Sequence, residues 1–262
     1  MDGWWEKLKL SLSNGIFSKY TLADNMACVK QLGFDNLEFN MKCVEKEDEE
    51  CVHLAKKLID SYGLNCLTVH AATLHVQNEA EIAKAVYYGR VSADFAYKLS
   101  SPVLVVHSNV SRRLPENLRS KFLARIFKEL RRYAESLSVK LALENLSYAS
   151  SGFGKNVAEL EEILGIVDDG AMGVTLDFCH AEASGQTFSL LEKYGGRLLD
   201  VHLSNRAHKP FDAETPNLSA FIAKLQECGY RGPLTLELNS KCTMEQVLRT
   251  KMIIQRSLSR SA

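Results

Sequence analysis

Seven ionisable side chains stand at the ends of short apolar runs, where β-strands are expected to finish. They are Glu38, His70, His107, Glu144, Asp177, His202 and Glu237. A buried carboxylate is costly unless it is paired or bound to a metal, and several that face one another repel. A divalent cation offsets both costs, because carboxylates and imidazoles are among its ligands. These residue types therefore predict a metal-dependent site, provided that the fold brings them together.

Eight β-rich runs carry these residues and set the pattern of the chain. The runs are 8–12, 36–40, 66–70, 103–107, 139–144, 172–177, 198–203 and 233–238. Between them lie segments with helical periodicity, at 80–99, 118–137, 157–167, 218–228 and 244–257. Glycines at 33, 63 and 229 stand where helix C-caps need a positive φ. Strands that alternate with helices are typical of a parallel sheet.

The chain has 262 residues, close to the roughly 250 residues of one (β/α)8 barrel. No Pro-, Ser- or Gly-rich linker and no break in composition divides it. We therefore predict an α/β fold, a single (β/α)8 TIM barrel domain over residues 1–262, with an open doubly wound sheet as the alternative. The C-terminal ends of barrel strands meet at one mouth, so the seven side chains would share one pocket. Trp4 and Trp5 are expected to plug the closed end of the barrel or to mediate contacts in a homo-oligomer.

Charge and cysteine usage limit the partners and the compartment. Lys plus Arg equals Asp plus Glu at 32 each, so no global field attracts a phosphate backbone, and nucleic acid is a disfavoured partner. The sequence has no signal peptide pattern and no apolar run long enough to span a membrane. Seven scattered cysteines without a C-x-x-C pair fit neither a disulfide framework nor a structural zinc site. We expect a cytoplasmic protein with reduced thiols and no membrane partner.

Short motifs carry a resemblance to a known superfamily over nearly the whole chain. They are Leu143-Glu144-Asn145, the loop 150–154, the segment Leu-Asp-Phe-Cys-His-Ala at 176–181, Val-His-Leu-Ser at 201–204, and Leu236-Glu237. Together they resemble the xylose-isomerase-like barrel superfamily. Its members include sugar phosphate isomerases and epimerases, tagatose-type 3-epimerases, hydroxypyruvate isomerases and the apurinic endonuclease IV family.

The resemblance implies one divalent metal ion, Mn, Mg, Co or Zn, bound by Glu144, Asp177, His202 and Glu237. It also implies an enzyme, a metal-dependent isomerase or epimerase of a small sugar, sugar acid or sugar phosphate. Such a reaction removes a proton from a carbon next to a carbonyl, and the metal stabilises the enediolate that forms. One carboxylate takes the proton and another group returns it. Glu144 and Glu237 are the expected catalytic pair.

Five residues are expected to bind the substrate: Glu38, His70, His107, His180 and Arg206. The first three would line the wall of the pocket. By the resemblance, His180 contacts a substrate hydroxyl, and helix capping is the alternative role. The planar fork of Arg206 suits a hydroxyl or a phosphate, and a solvated loop arginine is the alternative.

Other functions of the superfamily stay open. The endonuclease branch uses three zinc ions, and its pattern would place the histidines of the third and fourth strands with Glu144 on one metal and His180 on another. Its third site needs an Asp-x-His pair, whereas this chain has His208 and Asp212 in the reverse order. Dehydratases of keto-inositols or dehydroshikimate share the four-ligand metal set. A binding barrel without catalysis is disfavoured, because all four expected ligands are present.

Overall fold

The computed structural model describes residues 8–167 and 170–260 of the chain. Trp4 and Trp5 lie outside the described residues, so both expectations about them stay predictions. No helix in the two described ranges combines the length and the apolar character that a membrane crossing requires.

The described residues form eight strands at the centre of the fold. They are β1 (Lys9–Ser13), β2 (Asn36–Asn40), β3 (Asn65–His70), β4 (Val103–His107), β5 (Lys140–Glu144), β6 (Gly173–Asp177), β7 (Leu198–Leu203) and β8 (Pro233–Leu236). Each strand pairs in parallel with the next, and β1 pairs with β8, so the sheet closes on itself. The predicted TIM barrel is confirmed, and the open-sheet alternative is wrong.

The described part of the chain also contains nine α-helices, with at least one after each strand. They are α1 (Leu22–Gln31), α2 (Glu49–Ser61), α3 (Ile82–Lys98), α4 (Glu116–Ser136), α5 (Val157–Val167), α6 (Phe178–Ser184), α7 (Thr187–Tyr194), α8 (Pro216–Glu227) and α9 (Met244–Arg260). Local chemistry sets their ends. The Asp48 side chain accepts a hydrogen bond from the Cys51 backbone N–H and caps α2. Gly63 and Gly229, with φ of 59° and 73°, stop α2 and α8 in a conformation that favours glycine.

A small apolar cluster fills the inside of the barrel, separate from the large core between strands and helices. It is formed by Val103, Val105 and Ala142. These residues face inward because strand residues two apart share a face, and His107 and Glu144 of the same strands point into the mouth. The part of the barrel interior below His107 and Glu144 is therefore apolar.

A polar layer lies on the same inward faces, below the mouth. Its members are fully buried: Glu38, Thr68, Thr175, Asp200 and Thr235. Glu38 belongs to this layer because β2 continues for two residues beyond it, to Asn40. Glu38 is therefore one layer deeper than a residue that ends its strand.

The parallel register sets which side chains are neighbours at the mouth. His107 of β4 is the register partner of Glu144 of β5. Asp177 of β6 is the partner of His202 of β7. Residues that are 37 and 25 positions apart in the sequence thus become direct neighbours through strand pairing.

Cys66, which is buried, and Cys43, which is half-buried, should resist alkylation in the folded protein. All seven cysteines are free thiols, and burial raises the pKa of Cys66 to about 12 and that of Cys43 to about 11. Because the thiolate is the reactive form, iodoacetamide at pH 8 should modify the exposed Cys228 well before these two. Peptide mass spectrometry measures the order. Alkylation of Cys66 as fast as Cys228 would contradict the packing of β3.

Candidate metal centre at the barrel mouth

Four neighbouring strands bring together the four side chains that the sequence assigns to a metal. Glu144, Asp177 and His202 end or lie near the end of β5, β6 and β7, and Glu237 directly follows β8. One ligand atom from each lies within 4.8 Å of the others. The Nδ1 atom of His202 is 3.4 Å from Glu144 Oε1 and 3.4 Å from Glu237 Oε2. The four groups thus converge on one point.

The hydrogen bonding of this cluster is incomplete. Glu144, Asp177 and His202 are fully buried, yet hydrogen bonds of normal geometry within the described residues leave both Glu144 oxygens, Asp177 Oδ2 and His202 Nδ1 unsatisfied. Buried polar atoms without partners are costly. Three carboxylates and one imidazole are a ligand set for Mn, Mg, Co or Zn. The residues therefore fit a divalent ion.

A second cluster adjoins the first through the same glutamate. Glu144 Oε2 lies 2.9 Å from His107 Nε2 and 3.3 Å from His70 Nε2. The two imidazole rings meet edge to face with centroids 4.9 Å apart. His70, His107 and Glu144 form a second group with metal-ligand spacing.

A third cluster lies on the other side of Asp177. His180 Nε2 faces His208 Nε2 at 3.1 Å, while His180 Nδ1 lies 2.9 Å from the backbone carbonyl of Asn145. Asp177, and not His180, caps α6, since its side chain accepts the His180 backbone N–H at 2.6 Å. The His180 imidazole is thereby left to face the mouth.

His208 reaches this place through an unusual backbone. Ala207 and His208 both adopt the left-handed region, with φ of 60° and 52°. For residues other than glycine this conformation costs on the order of 1 kcal/mol each. Two hydrogen bonds between the backbones of Asn205 and Lys209, at 2.9 and 3.2 Å, close the strained turn. The turn presents the His208 ring to His180.

The charged side chains of the cluster shift one another's pKa values. Burial would raise the pKa of Glu144, but the adjacent His107 and His202 hold it well below its usual range. Burial would lower the pKa of His70, but Glu144 and Glu38 raise it to about 9. In metal-free protein, protonated imidazoles therefore offset the negative charge of the carboxylates. A metal ion would displace these protons on binding.

The remaining predicted site residues occupy different places. Glu38 is fully buried and its Oε2 lies 3.0 Å from His202 Nε2. Arg206 is exposed and lines a neighbouring cavity of about 540 Å³, together with Cys179 and Glu182. That cavity has none of the four proposed metal ligands in its lining. The structure brings together every other predicted site residue.

Three residues near the site are not among those predicted to bind the metal or the substrate, although the sequence offers His208 as a partial match to the third zinc site of the endonuclease branch. Asn145 pairs with the Asp177 backbone, accepting its N–H at 2.8 Å and donating to its carbonyl at 3.1 Å. Asp200 lies 3.5 Å from His202, and the spacing Asp200-x-His202 on one strand is a signal that both face inward. The sequence gives no sign of the left-handed backbone at Ala207 and His208, so it does not predict that the His208 ring lies against His180.

Comparisons with known proteins agree with this architecture. The sequence profile of one family, described as a xylose isomerase-like TIM barrel, matches residues 26–258. The protein MJ1311 of Methanocaldococcus jannaschii, which is uncharacterised, is 25% identical over 249 residues, 89% of this chain and 85% of that protein. An L-ribulose 3-epimerase structure has a TM-score of 0.83 at 15% identity, covering 97% of this chain and 95% of its own. A D-tagatose 3-epimerase-like protein has a TM-score of 0.81 at 22% identity, covering 97% and 98%.

Two further similarities are to a probable endonuclease and to a structure that contains zinc. A probable endonuclease 4 of Halothermothrix orenii is 51% identical over 47 residues, 18% of this chain and 17% of that protein. The structure of the IOLI protein with a bound zinc atom has a TM-score of 0.79 at 18% identity, covering 97% of this chain and 99% of its own.

Metal-free protein should lose stability as the pH rises through about 9, because the pKa of His70 is raised to about 9. The unfolded value is about 6.5, so this stabilisation is complete below that pH and is lost as His70 deprotonates in the fold. Guanidinium unfolding in EDTA should show a loss on the order of a few kcal/mol between pH 6.5 and 9.5. In the variant His70→Asn, the free energy of unfolding should depend much less on pH over this range. The same pH dependence in the variant as in the wild type would contradict the raised pKa of His70.

Proposed function

Because the chain belongs to the xylose isomerase-like TIM barrel family, we propose that it is a metal-dependent isomerase or epimerase of a small sugar, sugar acid or sugar phosphate. The observation that carries the proposal is the convergence of Glu144, Asp177, His202 and Glu237 at the mouth. The site combines two glutamates for proton transfer with a complete ligand set for one divalent ion. An ion held there supplies positive charge to the carbonyl oxygen of the sugar and to the neighbouring hydroxyl.

Glu144 and Glu237 differ in exposure to solvent, and both have a lowered pKa. The Glu237 side chain is 14% exposed, whereas that of Glu144 is fully buried. The pKa of each lies below its usual range, because the histidines around them outweigh burial. Both are therefore carboxylates at neutral pH, so either can accept a proton from the carbon next to the carbonyl. Return of that proton to the neighbouring carbon gives isomerisation, and return to the opposite face gives epimerisation.

The rest of the mouth suits a substrate with many hydroxyls. His107 and His208 are partly exposed and offer ring nitrogens beside the carboxylates. We assign His70, His107 and His180 to hydroxyl contacts, and Arg206 to a more distant hydroxyl or phosphate in its neighbouring cavity. Seven free thiols support a reducing compartment, and we place the protein in the cytoplasm. The epimerases among its structural neighbours support the same substrate class.

A zinc phosphodiesterase acting on abasic DNA is a second candidate function. The observation that favours it is the set of three adjoining ligand groups, in which Glu144 joins His107 and Asp177 joins His180. One divalent ion would leave the second and third groups without a metal. The short stretch similar to a probable endonuclease 4 points the same way, whereas zero net charge disfavours a DNA partner.

A dehydratase on the same four ligands would differ by releasing water from its substrate.

The glutamate variants Glu144→Gln and Glu237→Gln should each suppress proton transfer. With Mn²⁺ or Co²⁺ present, the wild-type protein should exchange a substrate C–H proton with D2O across a panel of ketoses and their phosphates. Loss of a proton-transferring carboxylate should lower the rate by roughly 10² to 10⁴-fold. Proton NMR of the substrate measures the exchange directly.

Two comparison variants separate chemistry from other effects. Glu192→Gln makes the same change on an exposed position of α7 and should exchange at the wild-type rate. Arg206→Ala should raise KM more than it lowers kcat, since the contact holds ground and transition states alike. Absence of exchange across the whole panel, together with nicking of an abasic duplex by zinc-loaded protein, would replace the isomerase with the phosphodiesterase.

A further inference from the structure

Two buried carboxylates lie beneath His202, on the side away from the proposed metal. Glu38 Oε2 is 3.0 Å from His202 Nε2, and Asp200 Oδ2 is 3.5 Å from the same atom. All three side chains are fully buried. The other ring nitrogen, Nδ1, faces Glu144 and Glu237. The imidazole thus stands between a lower and an upper pair of carboxylates.

The two lower carboxylates are engaged to different extents. Asp200 accepts hydrogen bonds from the Thr235 hydroxyl at 2.9 Å and from the Val201 backbone N–H at 2.7 Å. Glu38 receives one long hydrogen bond, from the Thr68 hydroxyl at 3.3 Å, on the same oxygen that faces His202. Its other oxygen, Oε1, has no partner among the described residues. Glu38 therefore has the free accepting capacity, and it is also the nearer of the two.

We propose that Glu38 is a positioning residue that fixes the tautomer and orientation of His202, so that Nδ1 is the atom presented to the metal. A carboxylate oxygen accepts hydrogen bonds, so the 3.0 Å contact with Glu38 Oε2 places the proton on Nε2. A neutral imidazole protonated on Nε2 has its lone pair on Nδ1, which faces the other ligands. This assignment gives Glu38 a role in place of the substrate contact expected from the sequence. It rests on the metal site of the proposed function.

The position of Glu38 excludes direct contact with a substrate. It lies one layer below the mouth, at 0% exposure, and the ring of His202 separates it from Glu144 and Glu237. Its effect must therefore pass through His202. Carboxylates that orient a metal-binding histidine typically contribute about 10- to 100-fold in metal affinity.

The test compares Co²⁺ binding by purified variants, followed by the visible absorption of the bound ion. Glu38→Leu removes the acceptor at similar volume and should lower Co²⁺ affinity by about 10- to 100-fold. Glu38→Gln keeps an oxygen that can accept the Nε2 proton, so it should retain most of the affinity and the wild-type spectrum. Asp200→Asn should lower Co²⁺ affinity less than Glu38→Leu does, because Thr235 and Val201 already donate hydrogen bonds to the Asp200 side chain.

Thr175→Val is the matched control for a disturbed interior. Thr175 is fully buried on β6, and its hydroxyl has no partner within the described residues. This variant should bind Co²⁺ with the wild-type affinity and spectrum. Circular dichroism of each metal-free variant checks the fold. If Glu38→Leu does not fold, the other two variants still test the positioning role. The proposal requires Glu38→Gln to have the wild-type spectrum and Asp200→Asn to lose little affinity for Co²⁺.

The outcomes separate this inference from the proposed function. Weaker Co²⁺ binding with an altered spectrum in folded Glu38→Leu, and near wild-type behaviour in Glu38→Gln, supports the positioning role. Wild-type affinity and spectrum in Glu38→Leu overturns it, as does a larger loss in Asp200→Asn. Failure of the wild type to bind Co²⁺ overturns it as well. A wild type that binds Co²⁺ but exchanges no sugar proton defeats the isomerase proposal alone.

Discussion

The concentration of buried negative charge at the barrel mouth is the constraint on which the rest of the structure depends. Glu144 and Asp177 are fully buried, and Glu237 is nearly so. Carboxylates this close repel one another and lose the stabilisation of water. The fold meets this cost with imidazoles, since histidines lie against Glu144 from both β4 and β7. A divalent ion would offset the same negative charge from a single point. Protons and the ion would therefore compete for the same carboxylate and imidazole atoms.

Many supporting contacts serve to hold these charges in place. Asn145 ties the end of β5 to that of β6 through a reciprocal pair of hydrogen bonds. Asp177 begins α6 and so orients the segment that carries His180. Below the mouth, Glu38 meets the inner ring nitrogen of His202. Each of these contacts links a proposed metal ligand to a strand or helix, so the geometry of the site follows from the parallel register of the barrel.

Much of this arrangement follows from local sequence pattern. The strand runs and their intervening helices predict the barrel, and strand ends that carry Glu144, Asp177 and His202 predict where they meet. The depth of Glu38 is readable from the run 36–40 itself, because that run continues two residues beyond Glu38 and so places it one inward layer below the rim. The place of His208 depends on two left-handed residues other than glycine, which composition does not reveal. Arg206 directly precedes these two residues and lines a cavity beside the mouth.

The most direct test of the metal centre is anomalous diffraction from crystals grown with Mn²⁺. The account predicts a strong anomalous peak among Glu144, Asp177, His202 and Glu237, with ligand atoms at about 2.0 to 2.3 Å. His202 should approach it through Nδ1. Mn²⁺-saturated crystals without a peak at that point, or with the ion bound away from these four side chains, would contradict the account.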